Sequence, residues 1–337
     1  MKKGRKTQKI LPRISVNIPI YFHGDPHIVL RSLKKVDYPN GLIEVLLIKG
    51  EQIALQRNAG LEKSRGDIVY LLDDDSQVQP NALKIIAKEF EKPELAALGG
   101  PSLSPKNGGN YLSRLIGYVL ETYFGALRMR YKWSRQQKST SPKDYHFLGA
   151  NLALRRKVIL AVGGFDERIV PNEETELIRR LQENGYEIQY HHKLVIYRNQ
   201  RTHITDLIKQ FHHYGKGRMK FLHKNPRWHD FFLLAPIVFT IYLLTLIFYH
   251  PLWLLIPLFL YIFLSIATAL KATIKYKKIS LLFTMPIVFP IIHISYALGM
   301  IEENISSLLK KNPRKNKGIR VEIDKIKSFY SKMHESL

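Results

Sequence analysis

The chain has no cysteine among its 337 residues, which excludes a disulfide framework, thiolate-held zinc, iron–sulfur clusters and a cysteine nucleophile. Acidic residues are scarce: 28 Asp and Glu stand against 52 Lys and Arg, a formal net charge of +24. An excess of that size needs an anionic partner, either nucleic acid or the headgroup face of a membrane. Hydrophobic residues at 45% with charged residues at 24% exclude a disordered chain. The first residues, MKKGRKTQKILPRISV, are basic but lack the continuous apolar stretch of a secretory signal. Residues 1–11 therefore read as a basic tail, and everything up to residue 230 is expected in the cytoplasm.

Charge is also missing from two adjacent stretches. Residues 231–250 (FFLLAPIVFTIYLLTLIFYH) and 251–270 (PLWLLIPLFLYIFLSIATAL) contain no Lys, Arg, Asp or Glu. About 20 apolar residues at ~1.5 Å each cover the ~30 Å hydrocarbon layer, so both are expected to be membrane helices joined tightly at His250-Pro251. A third block, 280–300, carries Pro286 and Pro290, each of which removes a backbone donor; a kink or break is expected there. Lys271, Lys275, Lys277 and Lys278 precede this block, and Lys310, Lys311, Arg314, Lys315, Lys317 and Arg320 follow it. Positive residues favour the cytoplasm on both flanks, so the block is either re-entrant or a crossing with one flank against the rule. Residues 301–337 read as a basic C-terminal tail. Anionic headgroups, at about 1 kcal/mol per Lys or Arg near the surface, account for the excess charge.

The part before residue 200 alternates strands and helices. Strands are expected at 14–21, 42–48, 68–72 and 95–99, helices at 27–35, 52–63 and 81–90. This alternation predicts a doubly wound, parallel α/β sheet, whose ligands bind beyond the carboxyl ends of the strands. There, after IVYLL, stand Asp73, Asp74 and Asp75. Three carboxylates repel one another unless a cation is near, and they suit Mg²⁺ or Mn²⁺. The alternative is an acidic turn favouring the positive end of the next helix. Glu173 and Glu174 open a second acidic segment, and they too could serve only the helix dipole.

Taken in order, ISVNIPIY, QRNAG, GDIVYLLDDDS, FLGANLALRR, GGFDE and NEETEL resemble the inverting, nucleotide-sugar-dependent glycosyltransferases of family 2, which have the GT-A fold. The resemblance covers roughly residues 12–225. NEETELIRRLQENG followed by QFHHYGKGR is similar to membrane-bound members that build surface polysaccharides, such as the succinoglycan-type glucosyltransferases. It implies a cytoplasmic GT-A domain over 12–200, an interfacial segment over 201–230 and a membrane region over 231–300. Asp73 and Asp75 match the family's D-x-D, so Asp75 with Asp73 would hold the metal. Pro19, Glu51, Arg57, Asp73 and Asp74 would bind the donor, a UDP-sugar first of all. Gly149, Ala150 and Asn151, with Gln210 and Tyr214, would line the sugar and the acceptor. Glu173 and Glu174 match the catalytic Glu-Asp pair, and the second position, Glu174, would be the base.

The chain departs from the family twice. The acidic turn after the second strand, which helps hold the nucleotide base, is Lys49-Gly50-Glu51, leaving Glu51 alone. Processive members carry Gln-x-x-Arg-Trp, but Gln210 is followed by Phe211, His212, His213 and Tyr214, which argues against processive polymerisation. In-line displacement at an anomeric carbon needs a cation on the leaving diphosphate and one base on the other side of the sugar. Two separate acidic clusters supply both.

Residues 202–222 (THITDLIKQFHHYGKGRMKFL) are amphipathic and suit the headgroup plane or a soluble core, with Gly215 and Gly217 as a candidate hinge over the donor. Residues 111–127 are a second amphipathic stretch, fitted to a lipid acceptor or to core packing. His191, His192, His203, His212 and His213 lack ligand spacing. The reading is therefore a metal-dependent transferase on the cytoplasmic membrane face, acting on a lipid-linked or glycan acceptor in surface polysaccharide synthesis. A transferase acting on a polyprenyl phosphate, a non-catalytic membrane scaffold and a nucleic-acid-binding protein are the alternatives. The α/β core is expected to end before Phe231.

Overall fold

The computed structural model describes residues 11–135, 142–224, 226–309, 320–327 and 329. The N-terminal tail up to residue 10 and Lys310, Lys311, Arg314, Lys315 and Lys317 lie outside the described residues.

Seven strands form the main sheet: β1 (Ile14–Ile20), β2 (Ile43–Lys49), β3 (Ile68–Leu72), β5 (Leu95–Gly99), β7 (Asn151–Arg155), β8 (Glu187–Tyr190) and β10 (Glu322–Lys327). Short strands β4 (Gln77–Val78), β6 (Ser102–Leu103) and β9 (Ile196–Tyr197) form a second sheet over its carboxyl edge. The helices are α1 (His27–Leu33), α2 (Ile53–Lys63), α3 (Ala82–Glu89), α4 (Tyr111–Leu120), α5 (Tyr123–Ala126), α6 (Arg156–Ala161), α7 (Glu173–Glu183), α8 (Ile204–Lys224), α9 (Ala235–Phe248), α10 (Ile256–Tyr276) and α11 (Ser280–Leu309).

Every residue of β1 and β3 is buried, because helices cover both faces; apolar side chains therefore run continuously instead of alternating. The order is β10-β2-β1-β3-β7-β5-β8. β1 runs parallel to β2 and β3, and β5 parallel to β8, but β7 is antiparallel to both β3 and β5. The sheet is thus mixed, not wholly parallel. The chain reaches β7 by a long excursion through α4 and α5, so the constraint that keeps strands parallel across a one-helix crossover does not act on it.

The C-terminal third departs most from expectation. Residues 301–309 continue α11, and Glu322–Lys327 pair antiparallel with β2 as the edge strand of the main sheet. Ion pairs Lys49–Asp324 (2.7 Å) and Lys325–Glu44 (3.3 Å) fasten that strand. The segment read as a basic tail therefore contributes a strand to the main sheet. Periodicity could not reveal this, since EIDKIK alternates like any solvated segment and its partner is almost 280 positions away.

Three helical stretches are long and apolar enough to cross a membrane: 230–248, 252–276 and 280–309. The first two are 11% buried and the third 44%. α11 runs unbroken through Pro286 and Pro290, held by Met285, Val288, Phe289 and Ile292, which pack in one apolar cluster with Leu115 of α4 and Phe211 of α8. α8 likewise runs through Gly215 and Gly217 without a hinge. These glycines are contact points: a Cβ on Gly215 would lie 2.0 Å from the Tyr296 carbonyl, and one on Gly299 1.9 Å from that of His212. The apolar core consequently continues past Phe231 into the helical region.

Candidate active site

β3 ends at Leu72, and Asp73–Ser76 turn back over the sheet edge, with the Asp73 amide donating to Ser76 Oγ at 3.2 Å. Arg198 enters from the end of β9. Its Nη1 lies 2.9 Å from Asp73 Oδ2, while its Nε and Nη2 hold the two Asp75 oxygens at 2.6 and 3.1 Å. A fork of this kind matches a carboxylate bidentately. Asp73 Oδ1 is buried with no hydrogen-bond partner. Burial, and then the neighbouring Asp75 and Asp73 charges, raise the Asp74 carboxyl above its ordinary range.

The second cluster is deeper. Asn172, in the left-handed region at φ 90°, turns the chain into α7, whose first residues Glu173 and Glu174 are buried. Arg57 of α2 bonds Glu173, and its Nη2 lies 3.6 Å from Asp73 Oδ1, so one guanidinium links both clusters. Gly149 makes room for it, since a Cβ there would lie 2.4 Å from the Arg57 guanidinium nitrogens. Glu174 Oε1 accepts from Lys132 Nζ at 3.0 Å.

These pairings separate the two acids. Burial raises Glu173 to about 7, with Arg57 opposing and Glu174 reinforcing the rise. Burial would raise Glu174 as well, but Lys132 and Arg57 outweigh it and hold Glu174 below the ordinary glutamate value. Near neutral pH the pair keeps one firmly ionised carboxylate and one that shares its proton. Further along α7, Arg179 is fully buried; it bonds Asp144, and its Nη1 holds Asp230 at 2.8 Å. The helix carrying the glutamates is thereby tied to the entry of the membrane region.

A cavity of about 440 Å³ joins these parts. Arg57, Asp73, Glu173, Glu174, Gly149 and Ala150 line one end, and Gln210 and Tyr214 of α8 the side. Its apolar arm runs between Leu120, Phe124, Phe239, Tyr261 and Ile292. Asp75 lies in an adjoining polar cavity of about 260 Å³, which shares Arg198, Arg201, Gln210 and Tyr214 with the first.

Four of the expected residues sit elsewhere. Asn151 is fully buried and spends its side chain on structure, accepting from Tyr70 Oη at 2.8 Å and donating to the Leu194 and Pro101 carbonyls. It steadies the strand beneath the site. Pro19 is buried inside β1 opposite Ile48, and Glu51 is exposed beyond β2; neither borders the cavity. Asp74, between the two aspartates that do, borders neither cavity. Among the histidines, His212 pairs with Glu302 at 2.9 Å, a contact between α8 and α11. Sequence reasoning missed Arg198, Lys132 and Arg218. The available signals were the polar run Arg198-Asn199-Gln200-Arg201 before α8 and the run Arg128-Met129-Arg130-Tyr131-Lys132-Trp133, in which basic residues alternate with large apolar or aromatic ones; nothing singled out Arg218.

A sequence profile described as glycosyl transferase family group 2 matches residues 68–292. This chain belongs to that family. The match spans the diaspartate turn, the glutamate pair and most of the helical region, so the family likeness extends into the membrane-type helices. Among curated relatives, the probable glycosyltransferase YdaM of Bacillus subtilis is 25% identical over 226 residues, 56% of this chain and 51% of that protein. A glucosyl-dolichyl phosphate glucuronosyltransferase of Haloferax volcanii is 23% identical over 163 residues, 44% of this chain and 50% of that one. The chain spans about half the length of these relatives. The mannosyltransferase PcManGT of Pyrobaculum calidifontis, solved with GDP-Man and Mn²⁺, superposes with a TM-score of 0.56 at 15% identity over 88% of each chain. That likeness shows the shared GT-A fold.

Proposed function

We propose that this chain is an inverting glycosyltransferase that moves a sugar from a nucleotide-diphosphate donor, a UDP-sugar first of all, to a lipid-linked or glycan acceptor. The carrying observation is one cavity lined by Asp73, the buried glutamate pair and the membrane-type helices, with Asp75 in the polar cavity that adjoins it. A scaffold without catalysis would have no use for an ionised carboxylate buried beside such a space.

Asp73 and Asp75 offer hard oxygen donors, and the buried Asp73 Oδ1, which accepts no hydrogen bond and has Arg57 only at 3.6 Å, is what a divalent cation would satisfy, so the residues fit Mg²⁺ or Mn²⁺. Such an ion, when bound, neutralises charge on the departing diphosphate. Arg198, already between the two aspartates, would share that charge. Glu174, held ionised by Lys132 and Arg57, is the favoured base: it accepts the proton of the acceptor hydroxyl as the oxygen attacks the anomeric carbon opposite the diphosphate. Glu173 and Arg57 fix the distance between the two clusters. Gln210 and Tyr214, hydrogen-bonded to each other at 3.0 Å, present α8 to the sugar and acceptor. A net charge of +24 and two adjacent charge-free stretches, 231–250 and 251–270, support a location in the cell membrane with the α/β domain in the cytoplasm. Surface polysaccharide synthesis, of the succinoglycan type that the sequence resembles, is the setting.

The test is membranes carrying the full chain, incubated with a panel of labelled nucleotide sugars and scored for label in lipid or polymer. Consumption of one donor with an inverted product linkage supports the reading. No consumption of any donor, by protein that still folds, overturns it.

A further inference from the structure

Arg218 is 2% exposed on α8 and lines the apolar arm of the cavity, yet no carboxylate pairs with it among the described residues. Its Nη2 reaches Met129 Sδ at 3.5 Å, its guanidinium lies 5.5 Å from the Phe221 ring, and its Nε has no hydrogen-bond partner. Tyr296 of α11 lines the same wall, and its buried hydroxyl faces that guanidinium without a well-formed hydrogen bond to it. A buried guanidinium and a phenol that face each other, both able to donate and with no carboxylate to receive them, describe a gap for an anion. The other buried arginines differ: Arg57 has Glu173, and Arg179 has Asp144 and Asp230.

We propose that Arg218 and Tyr296 bind the phosphate of a long-chain lipid phosphate or diphosphate whose tail follows the apolar arm past Phe124, Phe239 and Tyr261. The surroundings select the class. A free anion would leave the arm empty, and a neutral lipid would leave the guanidinium unpaired. This rests on the transferase reading, so the experiment separates the two. The detergent-solubilised full chain is titrated with a polyprenyl phosphate, the matching polyprenol, inorganic phosphate and, separately, nucleotide sugars. Polyprenyl phosphate should bind about tenfold or more tighter than the alcohol, the scale of a charge-assisted hydrogen bond. Arg218→Met should erase that preference while nucleotide-sugar binding persists. Tyr296→Phe, which keeps the volume, should weaken it in the same direction. Equal binding of alcohol and phosphate, an unchanged preference in both variants, or inorganic phosphate matching the lipid would overturn the site. Failure of the wild-type chain to bind any nucleotide sugar would instead strike the transferase reading.

A separate observation bears on how the chain meets the membrane. α11 is long enough to cross, but elements of the α/β half hold both its ends. Thr284 Oγ1 lies 3.0 Å from Tyr111 Oη of α4, and Asn304 Oδ1 lies 3.0 Å from His223 Nε2 of α8, near the His212–Glu302 pair. The chain then returns to the sheet as β10. A strand pairing with β2 requires the C-terminus on the same side as the α/β domain, hence an even number of crossings. We infer that the 230–248 and 252–276 helices cross, and that α11 lies along the domain with Phe283, Ile287, Leu298 and Ile305 exposed toward lipid. This arrangement also satisfies the positive residues on both flanks of α11.

The absence of native cysteine makes the test direct. Single-cysteine variants His250→Cys, Ile279→Cys and Leu309→Cys are probed with a membrane-impermeant maleimide in sealed vesicles of both orientations. His250→Cys should label from the side opposite the other two. Labelling of Leu309→Cys together with His250→Cys, or of all three from one side, would overturn the two-crossing arrangement.

Discussion

The two acidic clusters differ in depth and in how their charge is balanced. Asp73 and Asp75 are partly exposed, their side chains 25% and 41% accessible, and they share Arg198. Glu173 and Glu174 are buried; Lys132 serves Glu174, while Arg57 serves Glu173 and also reaches Asp73 at 3.6 Å. A group that receives and releases a charged ligand needs access to it, whereas a base needs a fixed protonation state. The difference fits our proposal that the aspartates serve the leaving group and the glutamates the acceptor side. It also explains why Arg57, which is bonded into the deep pair and adjacent to the shallow one, is packed against a glycine.

The comparison can be broken most severely at the aspartates. EDTA should abolish transfer, added Mn²⁺ or Mg²⁺ should restore it, and Asp75→Asn should weaken donor binding in the presence of metal. Full activity in EDTA would remove the aspartates from that role. Next in size, Glu174→Gln should lower the transfer rate about 10²–10⁴-fold with donor affinity retained. Glu173→Gln, measured beside it, should cost less; a dead Glu173→Gln beside a live Glu174→Gln would exchange their roles.

Lys132→Met should sharpen the comparison through pH. Without that ammonium, burial would raise Glu174, so the base would be protonated over a wider acidic range. On the acid side of its raised pKa, transfer should fall roughly tenfold for each further drop of one in pH, and it should recover as pH rises. A uniform loss at every pH would make Lys132 only structural. The smallest effect on chemistry is expected from removing residues 320–337. Neither cluster lies on β2 or β10, so transfer per folded molecule should stay the same, while loss of the edge strand lowers the melting temperature by several degrees. An unchanged melting temperature would show that β10 adds nothing to the sheet.

Much of this could be read from residues. IVYLL is apolar throughout because a strand buried on both faces needs no polar side, and the aspartates follow it directly. The glutamates open a helix whose apolar positions Leu177, Ile178 and Leu181 are periodic and all fully buried. Arg198, Lys132 and Arg218 were not legible. Each is a basic residue in a chain full of them, and what distinguishes it is a partner, or the lack of one, supplied by a distant segment.

By itself the sequence determined the alternation of strands and helices, the acidic turn after a buried strand, the amphipathic helix and the charge-free membrane stretches, because those depend on local periodicity and composition. Tertiary structure decided which cation faces which carboxylate, that Asn151 supports the strand from beneath, that a strand from the far end of the chain closes the sheet, and that α11 packs on the domain while α9 and α10 stay largely exposed. Length and apolarity suffice for crossing in all three helices; only the close approach at Gly215 and Gly299, and the strand that follows, set the third apart.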